Sequence, residues 1–553
     1  VRHPLIRRLA AYCGAVGLIT GLLTVSAPAA SAADTTTDLG VSLDSFTADI
    51  AVGGGQVFVS AADRIIVADR GGNVTGGAVT GLSGVDGLAL NTGATRLYAA
   101  LTGSNEVAEI DTASRTVLRR IDLSAHPCPS TLALSGQWLW VGHGCAGEEG
   151  GDDGGAVGLD LTAAAPTPVT LGRVHARTPV LAVAGDTLVV GETGLRRSDL
   201  LVYDIGGGTP TLRGEIDGQR WDLDKLNELT LTFDGSTLIA AADAPGHFTK
   251  FDTTTLTATG AYGDGWDGYP AGVAIDSRGA YVAAGRQWGS TDLTLYDAAT
   301  GAVTYSADQP DAEVVPGGVV FSGQDVYTLL RNSAGRLLLW RLHGVTLPAS
   351  ELTLTAPARV RSGGSVTLEG RITRTSGKSR IVRPLAVTRR LPDGTSVPLD
   401  SVTAGEDGRF TFTDTPPGVG EVTYTVLWDG DSRSRWSSAS ATVTFMHISS
   451  LTLDGPASGT VGEPVELTGV LTVGDRQPEP GATITVQRSV TNDGDPETVI
   501  LPPVSTDADG SYTFIDTLET AGRYTYIAIW TGHATAGRAT THHRVTVTLG
   551  SSG

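Results

Sequence analysis

The chain has 553 residues and a formal net charge of −20, from 39 basic and 59 acidic side chains. That balance argues against nucleic acid and anionic membrane surfaces as partners, because both require clustered positive charge. The length predicts about three domains, and 73 glycines with 26 prolines and no sustained 3.6-residue periodicity point to an all-β chain.

Residues 1–33 carry Arg2, Arg7 and Arg8, then an apolar run, then Ala30, Ser31 and Ala32. This is the pattern of a secretory signal peptide, cleaved near Ala33. Cys13 would leave with it, and the net charge would become −23 (36 basic minus 59 acidic). No later stretch is apolar enough for a transmembrane anchor. The mature protein is therefore expected to be secreted and extracellular, held to a cell surface non-covalently if at all, and monomeric. The scarcity of lysine beside arginine fits a high-GC bacterial gene.

From residue 41 to 347 one unit recurs: an apolar triplet, a Gly-containing turn and a second apolar run. It reads "DIAVGGGQVFVS", "GLALNTGATRLYAA", "TLALSGQWLWVG", "VLAVAGDTLVVG", "ELTLTFDGSTLIAA", "GVAIDSRGAYVAA" and "GVVFSGQDVYTLL". The triplets start at Ile50, Leu88, Leu132, Leu181, Leu229, Val273 and Val319. A third strand ending in an Asp turn follows most of them, as in "LTLYDAATG". Short strands at such a period predict a propeller with seven blades, each unable to bury both faces alone. The seventh has three clear strands, so residues 34–40, otherwise a linker, are expected to begin the strand that closes the ring. The phrase "LYAALTGSNEVAEIDTASRTVLRRI" resembles the YVTN-type repeat of surface-layer propellers. The Gly-His/Trp-Asp pattern of WD40 repeats and the Asp-box of sialidases are absent.

The third unit, "HPCPSTLALSGQWLWVGHGC", holds His126, Cys128, His143 and Cys145. With the turn at Gly136-Gln137, paired residues sum to 273, and Cys128 faces Cys145 across the hairpin. Opposed Cβ atoms are close enough for a disulfide, and secretion favours oxidised sulfur. A metal knuckle using the two histidines, or free thiols, remain the alternatives. The following loop, with Glu148, Glu149, Asp152 and Asp153, reads as a solvated insertion or a cation-binding loop.

Loops entering each inner strand and loops leaving each second strand should share one rim. That rim collects His175, Arg177, Asp224, Trp266, Asp267, Tyr269, Arg286 and Trp288. Aromatics beside acids and arginines suit a glycan or peptide platform. Asp86, Asp224, Glu228, Asp267 and Glu313 are alternative candidates for holding a channel metal.

Beyond residue 347 the texture changes. "LTLTAPARVRSGGSVTLEGRIT" is echoed by "LTLDGPASGTVGEPVELTGVLT", and "GEDGRFTFTDT" by "DADGSYTFIDT". Two tandem β-sandwiches are expected, 351–447 and 450–550, and "WDGDSRSRWSSASATVTF" resembles the closing strands of bacterial Ig-like repeats. They should form a semi-rigid stalk, and limited proteolysis should cut first near 343–351, separating them from the ring. The D-x-D-G turn of Asp507, Asp509 and Gly510 could take calcium but needs no ion to form; no other cofactor is expected. Two functions follow. The first is a non-enzymatic recognition or adhesion scaffold binding an extracellular protein or polysaccharide. The second is a lactonase-like hydrolase or lyase with a channel metal.

Overall fold

The computed structural model describes every residue except 1–33, 44–46, 146–153, 173–176, 195, 208, 264–266, 376–380, 382–383, 476, 492–496 and 551–553. Residues 1–33, His175, Trp266 and the acidic loop after Cys145 therefore lie outside the described residues. Among those described, strands dominate, and the helix is a single turn, Gly218–Trp221.

Seven antiparallel sheets follow one another between Thr35 and Leu342. Their first strands are Ile50–Gly53, Val85–Leu90, Pro129–Ser135, Val180–Ala184, Asp224–Leu231, Tyr269–Ile275 and Ala312–Ser322. Each of these strands packs on the next, and the last packs on the first. The succession closes on itself as a β-propeller.

Burial explains the pattern of the repeat. Second strands are covered on both faces: in Gln56–Ala61 every residue after the first is buried. Such strands read as continuous apolar runs, whereas the outermost strand Thr116–Asp122 alternates exposed and covered positions. One apolar cluster fills each gap between successive sheets, for example Phe58, Leu88, Leu97 and Ile110 between the first two, or Ala182, Val202, Leu229 and Phe251 between the fourth and fifth. Each fully buried Leu, Val or Phe contributes about 1.5–3 kcal/mol, so the ring is stabilised gap by gap.

The last gap is closed from the opposite end of the chain. Thr35–Ser42 pairs antiparallel with Arg336–Leu342, placing Thr35 opposite Arg341 and Asp38 opposite Leu338. Residues expected to be partly linker are thus strand from Thr35 onward. Leu39 packs with Ile50, Val57, Leu329 and Leu339, so this strand also seals the core between the last and first sheets.

The third sheet carries the disulfide Cys128–Cys145, with Cα atoms 5.0 Å apart. The thiols are consumed there, which removes them as metal ligands. The 273 register holds from Trp138–Ser135 to Gly142–Thr131, then slips so that His143 faces Pro129. The cause is local. Cys128 adopts a left-handed backbone, φ 55°, and the Gly144 N–H donates to both Pro127 O and Cys128 O at 3.0 and 3.3 Å. The cysteines are therefore joined across a bulge and not as a directly opposed pair. His126 and His143 pack against each other, 4.9 Å between ring centroids.

The C-terminal part forms two double-sheet units with the same strand plan. In the first, Ser350–Thr355, Val366–Arg374 and Arg409–Asp414 face a second sheet containing Leu385–Arg390, Gly420–Trp428 and Ser437–Met446. In each unit a short strand runs parallel to the last one, Arg359–Arg361 on Ser437–Met446 and Ser458–Thr460 on Ala539–Thr548. Alternating burial along Val366–Arg374 and Pro464–Val473 gives each sheet one core face and one wet face. An internal polar post recurs. Arg389 donates to both oxygens of Asp414 (2.9 and 2.7 Å), which also accepts the Tyr424 hydroxyl at 2.9 Å. Arg488, Asp516 and Tyr526 repeat this at 2.9, 2.8 and 2.7 Å. The Asp509 carboxylate at the D-x-D-G turn accepts the Ser511 N–H and hydroxyl at 3.0 and 2.6 Å, so the turn is held by its own residues.

The segment where cleavage is expected is partly covered. Val345 and Thr346 are buried, and Val345 packs into the core between the sixth and seventh sheets.

Candidate functional site

Strand pairing defines the rim. Tyr269 is opposite Gln287, Val180 opposite Gly191 and Asp224 opposite Ala244, so inner-strand starts and second-strand ends open on one face of the ring. On the sixth blade the loop after Tyr281–Gln287 carries Trp288, which is 66% exposed and has φ 53°. A bulky side chain in that backbone region is uncommon and costs on the order of 1–2 kcal/mol. The Trp288 N–H donates to Glu313 Oε2 at 2.6 Å, and its indole meets the Tyr269 ring edge-on at 5.4 Å. Asp267 anchors the same loop by accepting the Ser290 N–H at 2.8 Å and its hydroxyl at 3.0 Å. A Cβ on Gly268, φ 81°, would meet the backbone N of Gly289 at 2.6 Å, so only glycine lets the two loops approach this closely.

The predicted rim residues thus separate into groups. Asp267, Tyr269 and Trp288 come together with Glu313. Arg286 does not join them at the surface. It is buried, its Nη1 donates to Gly246 O at 2.8 Å, and its guanidinium lies 5.0 Å over the Phe248 ring. Facing inward from a second strand, it ties the fifth blade to the sixth and is withdrawn from solvent. Arg177 is exposed on the entry to the fourth blade, against Gly194. Asp224 begins the fifth inner strand. Near it, Asn227 donates to Asp243 at 2.9 Å and to Pro270 O at 2.8 Å, and Lys225 lies 3.4 Å from Asp243.

Three carboxyls stand at the inner strands of the ring, Asp49 just before Ile50–Gly53, Asp86 in Val85–Leu90 and Glu228 in Asp224–Leu231. Asp49 accepts the N–H of Ile50 and of Leu88, both at 2.7 Å, bridging the first and second blades. Asp86 accepts the Ser130 hydroxyl from the third blade. Glu228 accepts the Leu229 N–H at 3.0 Å and reaches across to the sheet of Ala312–Ser322, where a Cβ on Gly317 would stand 2.7 Å from its Oε2. All three are half-buried residues. Burial, joined by the negative charge of Asp86, pushes Asp49 up to about 7. Burial, joined by the charge of Asp49, pushes Glu228 up to about 8. Burial also raises Asp86. At the rim, Asp292 is pushed up to about 7 by burial and then by the neighbouring Asp308 and Glu313.

Glu228 and Asp86 were legible as channel candidates; Asp49 was not, because an Asp before a strand reads as a turn residue. Aligning the seven triplets exposes it, since Asp49 and Glu228 each stand one residue before their triplet. Among the described residues, no three His, Cys, Asp or Glu side chains converge as metal ligands. Asp267, Glu313 and Asp86 are instead each engaged by a local donor.

No protein family matches the sequence, and no curated protein does. Solved structures are matched at low identity. A chain of Kuenenia stuttgartiensis hydrazine synthase is 16% identical, covering 55% of this chain and 98% of that one, with a TM-score of 0.42. The β-propeller domain of Cps50 (Swd1) from Myceliophteria thermophila is also 16% identical, covering 55% and 99%, with a TM-score of 0.40. A chain of a nidogen/laminin complex is 12% identical, covering 48% and 93%, at 0.33.

Proposed function

We propose that the protein is a secreted, non-enzymatic recognition scaffold: a seven-bladed propeller of YVTN type that binds an extracellular glycan, with two Ig-like domains behind it. The observation that carries the reading is Trp288. An indole held two-thirds in solvent on a left-handed backbone gains nothing for the core, and residues kept in such conformations cluster at functional sites. With Tyr269 as its edge and the carboxylates of Asp267 and Glu313 nearby, it offers a sugar ring a stacking face and flanking acceptors. The disulfide is consistent with an oxidising compartment. The test is an array of cell-wall and host polysaccharides and matrix proteins, probed with the wild type and Trp288→Ala, with and without calcium. Retention of a polysaccharide by the wild type and at least tenfold weaker binding by the variant supports the reading. Binding that survives the substitution, or binding only to proteins, refutes it.

A second reading, a hydrolase or lyase acting in the channel, is favoured by Glu228 and Asp49. Carboxyls raised to about 8 and about 7 suit proton transfer near neutrality. Its test is a lactone and glycoside panel on which Glu228→Gln abolishes turnover.

A further inference from the structure

The two double-sheet units differ at one position in a way that their neighbours explain. In both, the loop before the last strand hooks the backbone that enters the unit. The Arg435 N–H donates to Pro348 O at 3.0 Å in the first, and the Gly537 N–H donates to His447 O at 3.1 Å in the second. Aligning "WDGDSRSRW" with "WTGHATAGR" places Arg435 and Gly537 at the same position. The second unit follows another sandwich, and glycine suffices there. The first unit follows the propeller, and there the side chain is an arginine.

That side chain leaves its own domain. Arg435 Nη1 donates to Thr304 O at 3.0 Å, on the outer strand of the sixth blade, and the guanidinium lies 5.1 Å over the Tyr305 ring. The Tyr305 hydroxyl donates to Asp34 at 3.0 Å, and the other oxygen of Asp34 accepts the His343 N–H at 2.9 Å. The cluster joins four separate segments: the start of the closing strand, the sixth blade, the exit from the seventh blade and the first sandwich. Burial lowers the pKa of Arg435 and raises those of Asp34 and Tyr305, as expected of ionisable groups taken out of water. A flexible tether has no need of a desolvated arginine, and leaving one partner unpaired there is costly.

We propose that Arg435 is a key that locks the first sandwich onto the outer edge of the propeller, making the C-terminal pair a fixed arm of the ring. The lock works on both sides of the link: Val345 anchors it in the propeller core, and Arg435 holds the domain that follows.

The test uses the full chain with spin labels at Ala299→Cys on the sixth blade and Thr411→Cys on the first sandwich, both exposed positions, together with thermolysin cleavage within 343–350. The locked protein should give one narrow distance distribution and resist cleavage. Arg435→Ala should broaden the distribution at least twofold and speed cleavage at least fivefold. Tyr305→Ala removes the same contact from the propeller side and should do likewise. Unchanged distances and cleavage in both variants would overturn the proposal. So would an effect of Arg435→Ala alone accompanied by faster amide exchange throughout the sandwich core, because the arginine would then be supporting its own domain.

Discussion

Trp288 and Glu228 are the two residues at which the physics of single side chains bears most on function. Trp288→Gly removes the backbone penalty of the left-handed position and an indole that contributes little burial. Thermal denaturation should show stability unchanged or raised by up to about 1 kcal/mol, while glycan binding on the array is lost. A fall of more than about 1 kcal/mol would mean that the ring is structural. Glu228 has its folded-state pKa raised from an ordinary 4.5 to about 8. Between those values the folded state holds a proton that the unfolded chain has released, so stability is full below about pH 4.5 and declines as pH rises towards 8. Asp49, raised from 3.8 to about 7, acts with the same sign. Glu228→Gln mimics the protonated form and should flatten this decline in urea titrations run from pH 5 to 9. An unaltered slope would show that the carboxyl is solvated. The sequence marks both positions, Trp288 on the rim and Glu228 in the channel, but not their surroundings: only the ring places Glu228 opposite Gly317 from a distant sheet.

Hairpins are the elements in which the sequence was most readable and also where it misled in detail. The alternation of apolar triplet, turn and apolar run located every inner strand, because a covered second strand must be continuously apolar. The Cys128–Cys145 link followed from hairpin arithmetic. The register beyond Gly142 did not, since it depends on the left-handed turn at Cys128, a conformation that cysteine does not signal. Arg286 misled for a related reason: composition suggests an exposed cation, and only its pairing opposite Pro270 turns it inward over Phe248. The disulfide spans 17 residues, and a loop of that length is worth about 3 kcal/mol through the unfolded chain. Replacing both cysteines by serine should lower the melting temperature while leaving the far-ultraviolet circular dichroism unchanged, because six other sheets still define the ring. Loss of the β signal would mean that this hairpin nucleates the fold. Gly317→Ala brings a methyl group to 2.7 Å from Glu228 Oε2 at a backbone φ of 73°. It should destabilise by more than about 1 kcal/mol, and a neutral outcome in chemical denaturation would show that Glu228 swings freely.

The propeller part of the molecule is a ring whose last sheet takes Thr35–Ser42 as a strand and, through it, packs on the first. Deleting residues 34–42 should uncover the outer edge of Arg336–Leu342 and the core around Leu39. Such an edge templates association, so size-exclusion chromatography should show aggregation with the melting temperature lowered, while a monomeric, equally stable product would mean that the seventh sheet closes the ring unaided. The same pairing also dictates an order in time. The strand that closes the ring is made before any blade, yet its partner, Arg336–Leu342, follows it by about 300 residues in the chain. At roughly 5–20 residues per second of synthesis, the early strand waits tens of seconds for that partner. Throughout that interval each finished blade can pack on the one before it, but the circuit stays open at both ends. Completion is thus a single late event of very long sequence separation, the kind of contact that slows folding most, and whatever protects the growing chain must shield both open ends until residue 342 has emerged.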